Sequence, residues 1–137
     1  MTKGFFKFEG GPTEPARERL YVTINKENVI GLNGNIYRLL GEPPAVYLYY
    51  GPERTTIAIE PIEDAHLTGA FPVKKKSTVG WRINSAPFCK HFDIRIYTTE
   101  RFLDPHISID GKLFLNLAET VTTRQFRRKP PVRVAIK

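Results

Sequence analysis

Cysteine is nearly missing from this sequence: Cys89 is the single thiol among 137 residues. One thiol excludes an internal disulfide framework and a cysteine-rich zinc site, and it agrees with a reducing compartment. Long apolar runs are missing as well, since none approaches the roughly 20 residues that cross a bilayer. The N-terminal MTKGFFKFEGG also lacks the apolar core of a secretory signal. We therefore expect a soluble, cytoplasmic protein with no membrane partner.

The residues of common catalytic sites are scarce or badly spaced. Cys89, His91 and Asp93 follow one another at intervals that point side chains apart on a helix. His66 and His106 have no evident partner with which to hold a metal. The segment EGGP neither follows a strand nor opens a helix, so it does not match a phosphate-binding loop. The sequence predicts no enzyme activity, no metal and no cofactor.

The chain has more positive than negative charges, and this excess of positive charge comes from the second half. The net charge is +7; residues 1–69 hold 7 Lys or Arg against 9 Asp or Glu, whereas residues 70–137 hold 14 against 5. Clustered cations are typical of nucleic-acid binding through phosphates. Solvated loops and tails collect the same residues for solubility alone, and that alternative stays open. The candidate contacts are Lys74, Lys75, Lys76, Arg82, Arg124, Arg127, Arg128, Lys129 and Arg133.

The first half of the chain has the pattern of two hairpins joined by a short helix. Residues 19–25, RLYVTIN, alternate as a half-buried strand does, and the turn sequence NKEN separates them from a second strand, VIGL. Asn33 is a suitable helix N-cap, so we expect a helix over 34–40 that ends at Gly41. The runs AVYLYY and TTIAIE, separated by GPER, predict a second hairpin that ends at Pro61.

The second half repeats this order of elements. TVGWRI predicts a strand, and Asn84 or Ser85 then caps an expected helix over 86–92. The stretch DIRIYTTERF is expected to be extended. The alternating runs HISI and KLFLNL flank Asp110-Gly111, which predicts a hairpin with a type I′ turn.

The similarity of the halves predicts an internal duplication in which Leu32-Asn33 matches Ile83-Asn84. One unit of about fifty residues buries too little surface alone, so two units are expected to complete a shared barrel about an approximate two-fold axis. The alternative, that many chains of strands and helices divide into similar halves, stays open. The predicted fold class is mainly β with short helices, as a pseudo-two-fold tandem ββαββ repeat. We expect an N-terminal arm (1–18), a single domain (19–123) with repeats at 19–61 and 70–118, and a basic C-terminal tail (124–137).

Residues 28–41, NVIGLNGNIYRLLG, resemble the core of the swapped-hairpin domains of AbrB/SpoVT transition-state regulators and MazE-like antitoxins. The resemblance covers this segment without gaps and residues 19–60 more loosely. It implies a swapped-hairpin barrel that binds DNA through basic residues of the first hairpin and neighbouring loops, with antitoxin members also wrapping a toxin. A tandem copy would correspond to the family's homodimer within one chain.

Several positions depart from the pattern of that family. Asn28-Val29 stands where the family usually carries Gly-Arg, and Asn33 and Asn84 stand where it carries proline. The DNA-contacting arginine is therefore missing from the first copy, while Arg82 lies near the corresponding strand of the second. The resemblance thus bears on the fold more directly than on DNA contact.

Aromatic residues give a further alternative. Tyr47, Tyr49 and Tyr50 lie on one predicted strand, with Tyr97 and Phe102 in the other half. Exposed rings on a basic sheet can stack unpaired bases. Rings in strands also serve core and cross-strand packing, which we expect of Trp81 as well.

The sequence thus predicts an AbrB-like DNA-binding protein, either a transcriptional regulator or an antitoxin-like factor. It would contact duplex phosphates through basic loops and the tail. Two alternatives stay open: a protein-interaction module on the same scaffold, and a single-stranded nucleic-acid binder. The expected partner is duplex DNA, with a protein partner under the first alternative, and the chain acts as a monomer or a homodimer.

Overall fold

The computed structural model describes residues 20–76 and 80–123. They form ten antiparallel strands in a curled half-barrel with two short helices, which confirms the expectation of a mainly β protein. No helix within these two ranges is long and apolar enough to cross a membrane. The expected arm (1–18) and tail (124–137) lie outside the described residues.

The strands are β1 (Val22–Ile24), β2 (Val29–Asn33), β3 (Ala45–Gly51), β4 (Thr56–Ile62), β5 (Phe71–Lys75), β6 (Gly80–Asn84), β7 (Glu100–Phe102), β8 (His106–Ile107), β9 (Leu113–Asn116) and β10 (Thr120–Thr122), and the helices are α1 (Gly34–Leu39) and α2 (Ala86–His91).

The first hairpin and α1 follow local sequence rules. Asn28 adopts a left-handed conformation, with φ of 65°, in the NKEN turn between β1 and β2. Asn33 caps α1, because its side-chain oxygen accepts a hydrogen bond from the backbone N–H of Ile36 at 3.1 Å. Gly41 follows the helix with φ of 90°, which glycine adopts without strain. The predicted turn, cap and helix end are confirmed.

The second hairpin is formed by β3 and β4, as predicted. The two strands pair from Ala45 opposite Ile62 to Gly51 opposite Thr56. The GPER segment between them forms a short 3-10 turn, after which Thr55 adopts a left-handed conformation. β4 also pairs with β9 of the second half, so this hairpin is held on both sides.

The second half begins with a hairpin of β5 and β6 and continues into α2. Ser85 occupies the N-cap position of α2, but its side chain donates to the carbonyl of Asn28 at 2.7 Å instead of capping the helix. Asn84 accepts from the N–H of Ala86 at 3.3 Å. Of the stretch DIRIYTTERF, only Glu100–Phe102 forms a strand, because the residues before it pack against the core without a strand partner.

The hairpin between β8 and β9 is present, but the prediction of a type I′ turn was wrong. A type I′ turn needs positive φ at both central residues, and of Asp110 and Gly111 only Gly111 has it, at 89°. The N–H of Ser108 donates to the carbonyl of Lys112 at 2.8 Å, which leaves a longer loop that ends at the glycine. The hydroxyl of Ser108 bonds to Asp110 and accepts from the N–H of Lys112, and these contacts stabilise the longer loop.

The strands form one sheet in the order β10-β7-β1-β2-β6-β5-β3-β4-β9-β8. β2 and β6 pair with Gly31 opposite Arg82 at the middle of their ladder. β1 pairs with β7 of the second half, and β5 pairs with β3 of the first half. Strands from both halves therefore flank the β2–β6 pair. The second half also carries β10, which pairs with β7 and was not predicted.

Alternate strand residues supply one core on the inner face of the curled sheet. The helices add Ile36 and Phe88 to it. Trp81 is half-buried and stacks on Tyr37, with ring centroids 3.9 Å apart and an interplanar angle of 18°. The core includes the fully buried Val22, Ile24, Ile30, Ile57, Ile59, Ile83, Phe102, Leu113 and Leu115.

Candidate nucleic-acid interface

Lys74 and Arg82 lie directly opposite each other on the outward face of the β5–β6 hairpin. Lys74 follows the buried Val73, and Arg82 precedes the buried Ile83. Because successive strand residues point to opposite faces, both cations point away from the core, and both are exposed. Residues opposite each other in an antiparallel pair have Cβ atoms about 5 Å apart. The hairpin therefore places two positive charges side by side.

No carboxylate lies beside this pair on the outward face of the neighbouring strands. Within β1, β2, β5, β6, β7 and β10, the single acidic residue is Glu100. It shares the inner face of β7 with the buried Phe102, and its carboxylate accepts from Thr98, Thr120 and Thr122. In the described part of the chain, neither cation of the pair forms an ion pair or a side-chain hydrogen bond.

The same row of the sheet continues across the central strands to a third cation. Gly31 lies opposite Arg82, Thr23 opposite Gly31, and Arg101 opposite Thr23. The Arg101 guanidinium lies over the ring of Tyr21, 4.7 Å from its centroid, and its buried Nε has no partner among the described residues. A side chain at Gly31 would meet the Thr23 hydroxyl oxygen, 2.9 Å from the added Cβ. Gly31, near the middle of the row, therefore adds no side chain to the outward face, and cations lie on either side of it.

The lysine run predicted as one cluster is divided by the structure. Lys75 follows Lys74 in β5, so it points to the opposite face, where its ammonium lies 4.9 Å from the ring centroid of Trp81. Lys76 is exposed, and its backbone N–H donates to the carbonyl of Gly80 at 2.8 Å. Only Lys74 therefore shares the outward row with Arg82.

The outward face also holds a shallow cavity of about 460 Å³. Lys74 and Arg82 line it together with Val29, Pro72 and Asn84. The sequence predicts a helix-capping role for Asn84 and no role for Arg101 or Gly31. Alternation with the buried Phe102 would have placed Arg101 outward, but its distance from Arg82 depends on long-range strand order.

The remaining basic candidates lie outside the described residues, so the structure gives them no position. These are the tail residues Arg124, Arg127, Arg128, Lys129 and Arg133.

The aromatic candidates do not form one stacking surface. Tyr47 and Tyr49 share one face of β3 while Tyr50 occupies the other, and Phe102 is buried. The Tyr49 hydroxyl donates to the Glu60 carboxylate at 2.5 Å, and this hydrogen bond, with a smaller effect of burial, raises the pKa of Tyr49. Cross-strand packing therefore accounts for part of this set.

The residues considered for catalysis are also separated. Cys89 is buried, and burial raises the pKa of its thiol, although a contact with the Ser85 hydroxyl acts in the opposite direction. His91 and Asp93 are exposed. Within residues 20–76 and 80–123, no group of three or more metal-binding side chains lies close enough together to hold an ion.

A second cavity, of about 340 Å³, lies beside the segment that joins α2 to β7. Ile94, Ile96 and Tyr97 of that segment line it with Tyr50 and Leu117. Tyr97 is exposed over most of its surface, at 77%. The cavity gave no signal in the sequence, because its walls come from segments distant along the chain.

Comparison with protein-family models, with curated proteins and with solved structures gave no significant match. The geometry of the outward face is therefore the basis for assigning a function.

Proposed function

We propose that this protein binds duplex DNA through the outward face of its central strands, with Lys74 and Arg82 as positively charged contacts. The observation that carries the proposal is the cross-strand pair of exposed cations, with no acidic residue in β5, β6 or the strands next to them. Like charges directly opposite each other destabilise a sheet. A polyanion bound across the pair removes that cost and gains two charge-assisted contacts.

The form of the sheet agrees with such a ligand. The half-barrel curls around its core, so the face opposite the core is convex and can approach a groove of the duplex. Arg101 lies further along the same row of the sheet, three strands from Arg82. Since strands are about 4.8 Å apart, the two arginines are separated by about 14 Å, which allows them to contact different nucleotides.

We further propose that the scaffold is a tandem repeat of the AbrB-like swapped-hairpin type, acting as a regulator or an antitoxin-like factor. The strand register supports a two-fold relation about the Gly31–Arg82 pair that exchanges Asn33 with Asn84. The β1–β2 hairpin and the β5–β6 hairpin, which open the two halves, also have the same strand register. The matching pairs are Val29 with Asn84 and Asn33 with Gly80 in β2–β6, and Val22 with Leu32 and Val73 with Ile83 in the two hairpins.

The ends of the two helices support the same relation. Each helix closes with the same three backbone hydrogen bonds and a left-handed residue, Gly41 after α1 and Asp93 after α2. The N–H groups of Leu40, Gly41 and Glu42 donate to the carbonyls of Ile36, Arg38 and Tyr37, and those of Phe92, Asp93 and Ile94 donate to Phe88, Lys90 and Cys89.

A swapped hairpin is also supported by the way in which strands of one half pair with strands of the other. The first hairpin pairs through β1 with β7, and the second pairs through β5 with β3. The halves differ beyond that point, because the second adds the β8–β9 hairpin before β10. The cations differ too: Lys74 and Arg82 correspond to Thr23 and Gly31 in the first half.

The test is a salt-titrated binding assay on duplex and single-stranded DNA. We expect the Lys74→Gln/Arg82→Gln double variant to bind duplex more weakly and to reduce the slope of log affinity against log salt by about 2. Lys90→Gln, at an exposed position of α2 on the side of the sheet that faces the core, is the matched control and should leave the slope unchanged. A chain ending at Thr123 measures the contribution of the tail. An intact chain that ignores both DNA forms at low salt would exclude the proposal.

A protein-interaction role is the second candidate, favoured by the cavity beside Ile94, Ile96 and Tyr97. Arg95, Glu100 and Thr120 also line the cavity, and apolar and polar surface around an exposed tyrosine is a common composition for a protein-binding surface. Binding through this cavity would depend less on salt than DNA binding does and would be insensitive to substitution of Lys74 and Arg82. It would be lost in Tyr97→Ala.

A further inference from the structure

The polar side chains that line the cavity on the outward face supply more hydrogen-bond donors than acceptors. They are Lys74, Arg82 and Asn84. Lysine and arginine are donors only. The Asn84 side-chain oxygen already accepts from the N–H of Ala86 at 3.3 Å, which uses one of its two lone pairs, and its amide nitrogen remains as a donor. A ligand that uses these donors presents acceptors to them.

Size and apolar lining favour a ligand larger than one phosphate. At about 30 Å³ for each water in the liquid, the volume of about 460 Å³ corresponds to roughly fifteen waters. Val29 and Pro72 contribute apolar surface, which a solvated phosphate gains nothing by covering. A nucleobase edge has both parts, because it combines acceptors with an apolar ring.

Building on the DNA-binding proposal, we infer that this cavity recognises guanine in the major groove, with Arg82 donating to guanine N7 and O6. Guanine is the base that presents two adjacent acceptors there, and a bidentate arginine is the commonest specific contact to it. Adenine presents one acceptor and one donor, and its amino donor would face the donors of this cavity. Asparagine usually pairs with adenine by using its oxygen as an acceptor, and in Asn84 one lone pair of that oxygen already accepts from α2.

The role of Lys74 follows from the same geometry. It lies opposite Arg82 and adds a mobile donor and a positive charge, so it contacts phosphate without selecting a base. Arg82 and Asn84 lie two residues apart on one strand and share its outward face. Sequence selection therefore depends on Arg82 and Asn84, and general affinity depends on Lys74 together with Arg82.

The experiment measures affinity for four short duplexes at one moderate salt concentration. They contain alternating G·C pairs, the same pairs with 7-deazaguanine, the same pairs with inosine, and alternating A·T pairs. 7-Deazaguanine lacks the N7 acceptor, whereas inosine keeps both major-groove acceptors and lacks only the minor-groove amino group. We expect the G·C and inosine duplexes to bind about tenfold more tightly than the 7-deazaguanine and A·T duplexes.

Variants separate base selection from phosphate binding. Arg82→Lys keeps the charge but loses the planar fork, so it should retain the salt slope and lose the preference for guanine. Lys74→Gln should weaken all four duplexes alike and keep the preference, and Lys90→Gln, on α2, should change neither. Circular dichroism checks that each variant keeps the native fold.

Either of two outcomes with the duplexes would overturn the inference while leaving DNA binding in place, and so would a third with single-stranded DNA. One is equal affinity for the guanine and 7-deazaguanine duplexes with an unchanged salt slope. The other is a loss of affinity with inosine, which would place the contact in the minor groove. Tighter binding to a single-stranded guanine oligonucleotide than to the duplex would also exclude the major-groove contact. No binding to any duplex at low salt would reject both proposals together.

Discussion

Replacing Arg82 by glutamate should stabilise the folded protein while weakening DNA binding. In the native sheet Arg82 faces Lys74 across β5 and β6, with no acidic residue beside them on the outward face. Like charges directly opposite are destabilising, and opposite charges contribute roughly 0.2–1 kcal/mol. Changing repulsion into attraction should therefore raise the free energy of unfolding by about 1 kcal/mol. For a chain of this length that corresponds to an increase in Tm of about 4 °C.

A double-mutant cycle in urea denaturation isolates this pairwise effect. Lys74→Glu should stabilise as Arg82→Glu does, and the double variant should lose the gain because it again places like charges opposite each other. Arg82→Gln is the control for strand propensity and for loss of the arginine stem. About 1 M salt should reduce every difference, since the pair is exposed and the screening length falls to about 3 Å.

The same four proteins test the proposed function in the opposite direction. Both single glutamate variants should bind duplex DNA more weakly although they are more stable, and the double variant should bind least. Additivity of the two stability effects within about 0.3 kcal/mol would refute the reasoning, because it would mean that the two side chains are not neighbours. If the variants are more stable but bind DNA as tightly as the native protein, Lys74 and Arg82 are neighbours as described, but Arg82 does not contact DNA.

Three further predictions concern the fold. Asn33→Ala should lower the free energy of unfolding by about 1 kcal/mol in urea denaturation, because the N-cap acceptor for the Ile36 N–H is lost. Gly34→Ala should raise Tm, since an added Cβ meets nothing within 4 Å and the unfolded chain loses entropy, whereas Gly41→Ala should lower it because φ is +90°. The buried Cys89 has a raised pKa, so the unfolded thiol ionises first as pH rises. Stability relative to Cys89→Ala should therefore be fully present below about pH 8.5 and lost as pH rises through the native pKa, as measured by urea denaturation at several pH values.

Local signals account for the elements that sequence analysis placed correctly. A turn, a cap or a helix end depends on residues within about four positions of each other, and Asn28, Asn33 and Gly41 each carry such a signal. The predicted type of the Asp110-Gly111 turn was wrong because side-chain contacts outside the dipeptide also act on it. The dipeptide marks a hairpin, but the contacts of Ser108 with Asp110 and Lys112 decide its type.

The candidate interface was predicted only in part. Alternation in β5 and β6 is enough to place Lys74 and Arg82 outward and Lys75 inward, once the strands are known. Sequence proximity instead suggested that the three lysines act together, although neighbouring residues of a strand point to opposite faces. Arg101 and the cavity beside Asn84 could not be predicted, because they depend on which distant strands become neighbours.

The sequence by itself determined the β1–β2, β3–β4 and β8–β9 hairpins, the two short helices and the concentration of positive charge in the second half. These depend on side-chain period, on turn chemistry and on composition, all of which can be counted along the chain. Only the tertiary structure decided that β2 pairs with β6, so that Gly31 faces Arg82 and the row of cations continues to Arg101. Long-range pairing depends on burying one shared core, and a shift of one residue would turn every cation on a strand to the other face.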